Sequence, residues 1–139
     1  MAYQFAGFLA PSETEIIQSA ALPPDAIARR ITVPFHGVGI RIPSLLGKTP
    51  SADEVKRLAA ATGIAQARSW LYIAYSTWGR IDSVYACGVQ DSVEFGPVDD
   101  SDDETVRTTF VEIMARIGVD APDALHFAPF VRGFWAPQA

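Results

Sequence analysis

Apolar and polar positions alternate with period two from the third residue. Tyr3, Phe5, Gly7 and Leu9 fall on one side and Gln4, Ala6 and Phe8 on the other, so residues 3–9 are predicted to form a strand. A short apolar stripe at Ile16, Ile17, Ala20 and Ala21 then takes helical spacing. It stops at Leu22-Pro23-Pro24, because a proline cannot donate a helical hydrogen bond. Residues 31–42 read as one extended segment, in which Gly37 and Gly39 suggest a bulge or a close backbone approach. Residues 43–50 form a loop. A helix over 51–62 follows, with Val55, Leu58 and Ala59 facing inward and Gly63 placed to end it in the left-handed conformation.

Residues 69–89 carry the strongest β pattern. They divide into two strands around Gly79-Arg80, the Gly-X preference of a two-residue type II′ turn. That register sets Trp78 opposite Ile81, Tyr75 opposite Val84 and Tyr72 opposite Cys87. Trp70, Tyr72, Ala74, Ser76 and Trp78 then share a face with Ile81, Ser83, Tyr85, Cys87 and Val89. Both faces of the hairpin are apolar enough to require cover. A third helix is predicted over 101–117, with a stripe at Val106, Phe110, Ile113, Met114 and Ile117. Glu112 and Arg116 stand at i,i+4 in the favourable order, and Gly118 follows the helix. Residues 126–135 read as a last strand, at an edge because of Pro129.

Three helix starts carry the same mark, a serine three residues ahead of a glutamate: Ser12 and Glu15, Ser51 and Glu54, Ser101 and Glu104. Each is the pattern of a capping box, in which the serine oxygen accepts the N–H of the glutamate and the glutamate reaches back. The expected fold is α+β: a single two-layer domain over residues 1–139, with a mostly antiparallel sheet in β-α-β-α-β-β-α-β order. Without its first β-α unit this is the ferredoxin-like split βαβ order with an N-terminal extension. That topology puts the strand containing Trp70 at an edge and the one containing Pro34 inside, the reverse of what their compositions favour. Either an N-terminal strand paired along the exposed edge or a different sheet order would reconcile the two.

With 139 residues, 49% of them hydrophobic and 19% charged, the chain is long and apolar enough for one core. Its net charge of −5 argues against a nucleic-acid partner, which requires a basic footprint. Cys87 is the single cysteine, so no internal disulfide can form. The first ten residues lack a basic start and break at Pro11, and no apolar run reaches the ~18 residues of a membrane span. A cytoplasmic protein without a membrane partner is expected.

Candidate chemistry is sparse. His36 lies beside Gly37 and Gly39, where an imidazole would serve as a general base or a ligand, but alternation puts it with Val38, Ile40 and Ile42, as for a partly buried, satisfied histidine. The glycines do not form a phosphate-binding fingerprint. Asp123 and His126 alone are too few for zinc, and no cofactor is implied. Asp82, Asp91, Glu94, Asp99, Asp100, Asp102, Asp103 and Glu104 follow one another without an intervening basic residue. An EF-hand loop starting at Asp99 fails, because Glu104 stands at its glycine position and Phe110 at its bidentate glutamate. Asp102, Asp103 and Glu104 suit the positive end of the third helix. The remaining acids suit a surface that steers a basic partner. Cys87, among aromatics, is expected to be an inert core thiol, and Ser76 and Ser83 lack a nucleophile elbow.

These features point to a small, acidic, non-catalytic binding protein, most concretely a protein–protein interaction module of the inhibitor or immunity type with a basic partner. The residues expected to carry binding are His36, Trp70, Tyr72, Trp78, Arg80, Tyr85, Asp91, Asp99 and Asp100. Two other readings compete. One is a small-molecule-binding protein or enzyme with a pocket near His36, involving Tyr75, Arg80 and Asp82. The other is a homodimer joined through the aromatic face of the sheet.

Overall fold

Strand pairing grows outward from β1 (Tyr3–Pro11), which lies between two antiparallel neighbours in a computed structural model describing residues 3–12, 22–32, 35–77 and 81–125. On one side β1 pairs with β3 (Gly37–Arg41), which pairs in turn with β2 (Ile27–Ile31). On the other side it pairs with β4 (Trp70–Thr77), then β5 (Ile81–Gln90), then β6 (Val93–Asp100). The described residues thus form one six-stranded antiparallel sheet in the order β2-β3-β1-β4-β5-β6. The ferredoxin-like order is replaced, and the conflict over edges disappears: β4 is interior because β1 covers it.

Two strands differ from the pattern reading. The expected single segment over 31–42 is two strands, with Ile31 opposite Gly37. Pro34, which marked this segment as an unusual interior strand, lies outside the described residues. β6 was hidden in the sequence because Gly96, Pro97 and paired aspartates are all depleted in strands. Among the described residues it is an edge strand, where proline and charge are tolerated and discourage pairing with another chain.

The α1 helix (Ala52–Thr62) follows its predicted bounds. Ser51 Oγ accepts the Glu54 N–H at 3.2 Å, and Gly63 closes the helix at φ 90°. The glutamate returns to the serine hydroxyl, 3.4 Å away, rather than to its N–H. The α2 helix (Val106–Ala115) starts later than expected, and Thr105 at its N-cap makes no side-chain cap bond. The Ser101 capping box does not form. Asp100 Oδ1 accepts the Asp102 N–H at 2.9 Å and Asp102 Oδ1 accepts the Glu104 N–H at 2.8 Å. These local aspartate turns compete directly with helix for the same backbone donors. The short α3 helix (Ala121–Leu125) packs on α2. The Ser12 capping box and its helix, the Trp78–Arg80 turn and the strand expected over 126–135 lie outside the described residues.

The two faces of the sheet are covered by different helices, so the two-layer expectation is corrected to three layers. Phe5, Leu9, Leu71, Ile73, Tyr75 and Val84 pack under Val106, Phe110, Ile113 and Met114 of α2. Phe8, Ala10, Val38, Ile40, Trp70, Tyr72 and Cys87 pack under Val55 and Ala59 of α1. Phe110 is fully buried, and its truncation to alanine costs about 3–5 kcal/mol.

The β4–β5 register places Tyr75 opposite Val84 and Tyr72 opposite Cys87, as predicted, and the Ser76 and Ser83 hydroxyls meet at 2.7 Å. A register shift after Ser76 then pairs Thr77 with Ile81. A two-residue turn would require Asp82 there, so the bulge shifts Ile81 off the Trp70 face. Ile81 packs with the α2-side core instead.

Candidate functional site

Among the residues expected to bind, Trp70 and Tyr72 are only 4% and 0% exposed. Tyr85 is half-buried, and its hydroxyl donates to the Pro50 carbonyl at the entry to α1. Trp70, Tyr72 and Tyr85 of the aromatic face are therefore covered, wholly or in part, within the chain. Trp78 and Arg80 lie outside the described residues. His36 is exposed, on the bend before β3, and only its carbonyl has a described role, accepting the Ser12 N–H at 2.9 Å. This corrects the partly buried placement, because the alternation that put His36 with Val38 starts one residue later, at Gly37. Among the described residues, no three or more of His, Cys, Asp and Glu come together to hold a metal. No helix among them is long and apolar enough to cross a membrane.

The acidic residues separate into two groups. Asp100 and Asp91 are engaged within the chain. The Asp100 carboxylate accepts Thr105 Oγ1 at 2.9 Å and the Thr109 hydroxyl, tying the end of β6 to α2. Hydrogen bonds from Thr109, the Asp102 N–H and Thr105 hold its carboxyl below the ordinary range. Asp91 occupies the β5–β6 turn, where Asp91 and Ser92 have φ of 49° and 70°. That is the pattern of a type I′ hairpin, in which both central residues are left-handed. Its N–H donates to Ser69 Oγ at 2.9 Å and its carboxylate pairs with Arg68 Nε at 3.0 Å. Asp99 and residues 101–104 are exposed along and just beyond β6, the outermost strand on that side among the described residues. Glu94, also on β6, pairs with Lys56 of α1.

Cys87 is buried, and burial pushes its thiol up to about 11, with Lys56 opposing. A small cleft of about 60 Å³ reaches it between Lys56, Trp70, Glu94 and Phe95. That volume is on the order of two waters.

A larger cleft of about 320 Å³ opens where β1 and β5 end and β4 begins, beside the C-terminus of α2. Arg68, Ser69, Gln90, Asp91 and Arg116 supply its polar lining, with Pro11 and Ile117 apolar. Arg116 does not pair with Glu112 as spacing suggested. Its Nη1 donates to Gln90 Oε1 at 3.0 Å, and its guanidinium lies over Phe95, 4.8 Å from the ring centroid. No short-range signal in the sequence pointed to this cleft, because its residues come from four separate segments. Compared with known proteins, the chain matches no protein family, no curated protein and no solved structure at a significant level.

Proposed function

We propose that this protein is a small acidic binding module whose partner is a basic protein, of the inhibitor or immunity type. The observation that carries the reading is an acidic stretch at the outermost described strand: Asp99 and the adjoining residues 101–104 are exposed together on and beyond β6. Their like charge steers a basic partner toward that edge and raises the rate of encounter. Pro97 and the register shift between Ala86 and Gly88 make the edge a poor template for strand addition, which favours side-chain recognition over backbone pairing. Asp91 and Asp100 belong to the scaffold in this reading, because their carboxylates already serve Arg68 and the two threonines.

The test is affinity capture from the native host at low ionic strength, followed by stopped-flow association of the purified partner. An Asp99→Lys/Asp103→Lys variant is expected to associate about tenfold more slowly at low salt, with the difference shrinking in high salt. An acidic partner, or association rates unchanged by the double reversal, would contradict the proposal.

A further inference from the structure

We infer that the 320 Å³ cleft between the β5–β6 turn and the C-terminus of α2 binds a small organic carboxylate. The inference is independent of the acidic edge. Two guanidinium groups line this cleft in a chain of net charge −5, and each is held by a second group. Arg68 engages Asp91 through Nε alone, and Arg116 engages Gln90 through Nη1 while resting on Phe95. Most of each donor fork is therefore uncommitted. Arginine forks suit the planar, bidentate geometry of a carboxylate.

The charge of the site selects among anions. Arg68, Arg116 and Asp91 together leave one net positive charge, which matches a single carboxylate. A phosphate carrying nearly two charges meets the Asp91 carboxylate and the negative end of α2, which finishes at Ala115 beside the cleft. Ser69 Oγ accepts the Asp91 N–H, which leaves the serine hydrogen to donate. The Asp91 oxygen not paired with Arg68 is an acceptor for a hydroxyl or ammonium beside the ligand's carboxylate. Pro11 and Ile117 give a short hydrocarbon an apolar wall. The class that fits is a small 2-hydroxy or 2-amino acid.

The experiment is a titration of the ¹⁵N-labelled full chain with sodium lactate, compared with sodium chloride and inorganic phosphate at matched ionic strength. Lactate is expected to give saturable shifts at the amides of Ser69, Asp91 and Gly118 and at the Arg116 side chain, with phosphate weaker. Arg68→Gln and Arg116→Gln are each expected to weaken lactate binding about tenfold. Arg68 is largely exposed, so Arg68→Gln keeps the test decisive if loss of the Phe95 contact unfolds the other variant. Shifts that follow chloride without saturating, phosphate binding tighter than lactate, or wild-type affinity in Arg68→Gln would each overturn the inference.

Discussion

Tyr72 and Tyr85 meet edge to face across β4 and β5, with ring centroids 6.5 Å apart and planes at 73°, yet their hydroxyls have opposite fates. The Tyr85 hydroxyl donates to the Pro50 carbonyl. The Tyr72 hydroxyl is buried with no partner among the described residues, and burial drives its pKa upward. Leaving a buried hydroxyl unpaired costs free energy that an apolar ring does not incur. Tyr72→Phe is therefore expected to leave stability unchanged or raise it by about 1 kcal/mol, while Tyr85→Phe lowers it by about 1 kcal/mol. Urea unfolding of the two variants distinguishes them, and an equal loss in both would refute the assignment.

Asp100 predicts an acid-dependent stability. Its carboxyl is held low by Thr109, the Asp102 N–H and Thr105, so it stays ionised in the folded chain at a pH where the unfolded chain takes up a proton. The resulting stabilisation is complete above the ordinary aspartate value of about 4 and is lost as pH falls through the lower folded value. Asp100→Asn is expected to be less stable than wild type at pH 7, with the gap closing toward pH 3. Thr109→Val is expected to narrow the same gap. Denaturation midpoints measured across this range would contradict the assignment if the gap were constant.

Ser92 carries a positive φ at the second position of the type I′ turn, where glycine is preferred. Ser92→Gly removes the left-handed strain and retains the N–H that donates to the Arg68 carbonyl. A gain of about 0.5 kcal/mol is expected, read as a rise in the thermal midpoint. A fall would show that the turn differs in solution.

Gly7 permits β1 and β3 to approach. A Cβ built there lies 1.8 Å from the Ile40 carbonyl oxygen, on rigid backbone. Gly7→Ala is expected to cost more than about 3 kcal/mol or to abolish folding. Gly47→Ala meets nothing within 4 Å and incurs only the strain of its φ of 77°, about 1 kcal/mol. Circular dichroism and thermal melts of the pair separate the two effects.

Cys87 is expected to react slowly. A buried thiol raised to about 11 presents little thiolate at pH 8. Alkylation by iodoacetamide in the folded protein should be at least about 100-fold slower than for free cysteine and should recover in urea. Rapid labelling without denaturant would show that the cleft beside Lys56 opens.

Much of the architecture could be read locally. Val55, Leu58 and Ala59 announced α1, and Ser51 and Gly63 marked both of its ends because a helix terminus is satisfied by residues within one turn of it. The Phe110 stripe announced the buried face of α2, and the alternation over 69–89 gave the pairing of Tyr72 with Cys87. Ser101 misled because Asp100 and Asp102 compete for the same N–H groups, and spacing alone does not rank competitors. Trp70 and Tyr72 looked like a candidate surface because nothing in their own segment says which helix will cover them.

Periodicity, turn residues and caps thus determined the main helices and the central hairpin, since those depend on contacts between near neighbours in the chain. The tertiary structure decided the sheet order, the burial of the aromatic face and the meeting of Arg68, Asp91 and Arg116 around one cleft. These depend on long-range pairing, where the free energy comes from surfaces far apart in sequence. β1 lies between β3 and β4, with Phe5 and Leu9 in the core under α2 and Phe8 and Ala10 in the core under α1, and no local pattern names those partners.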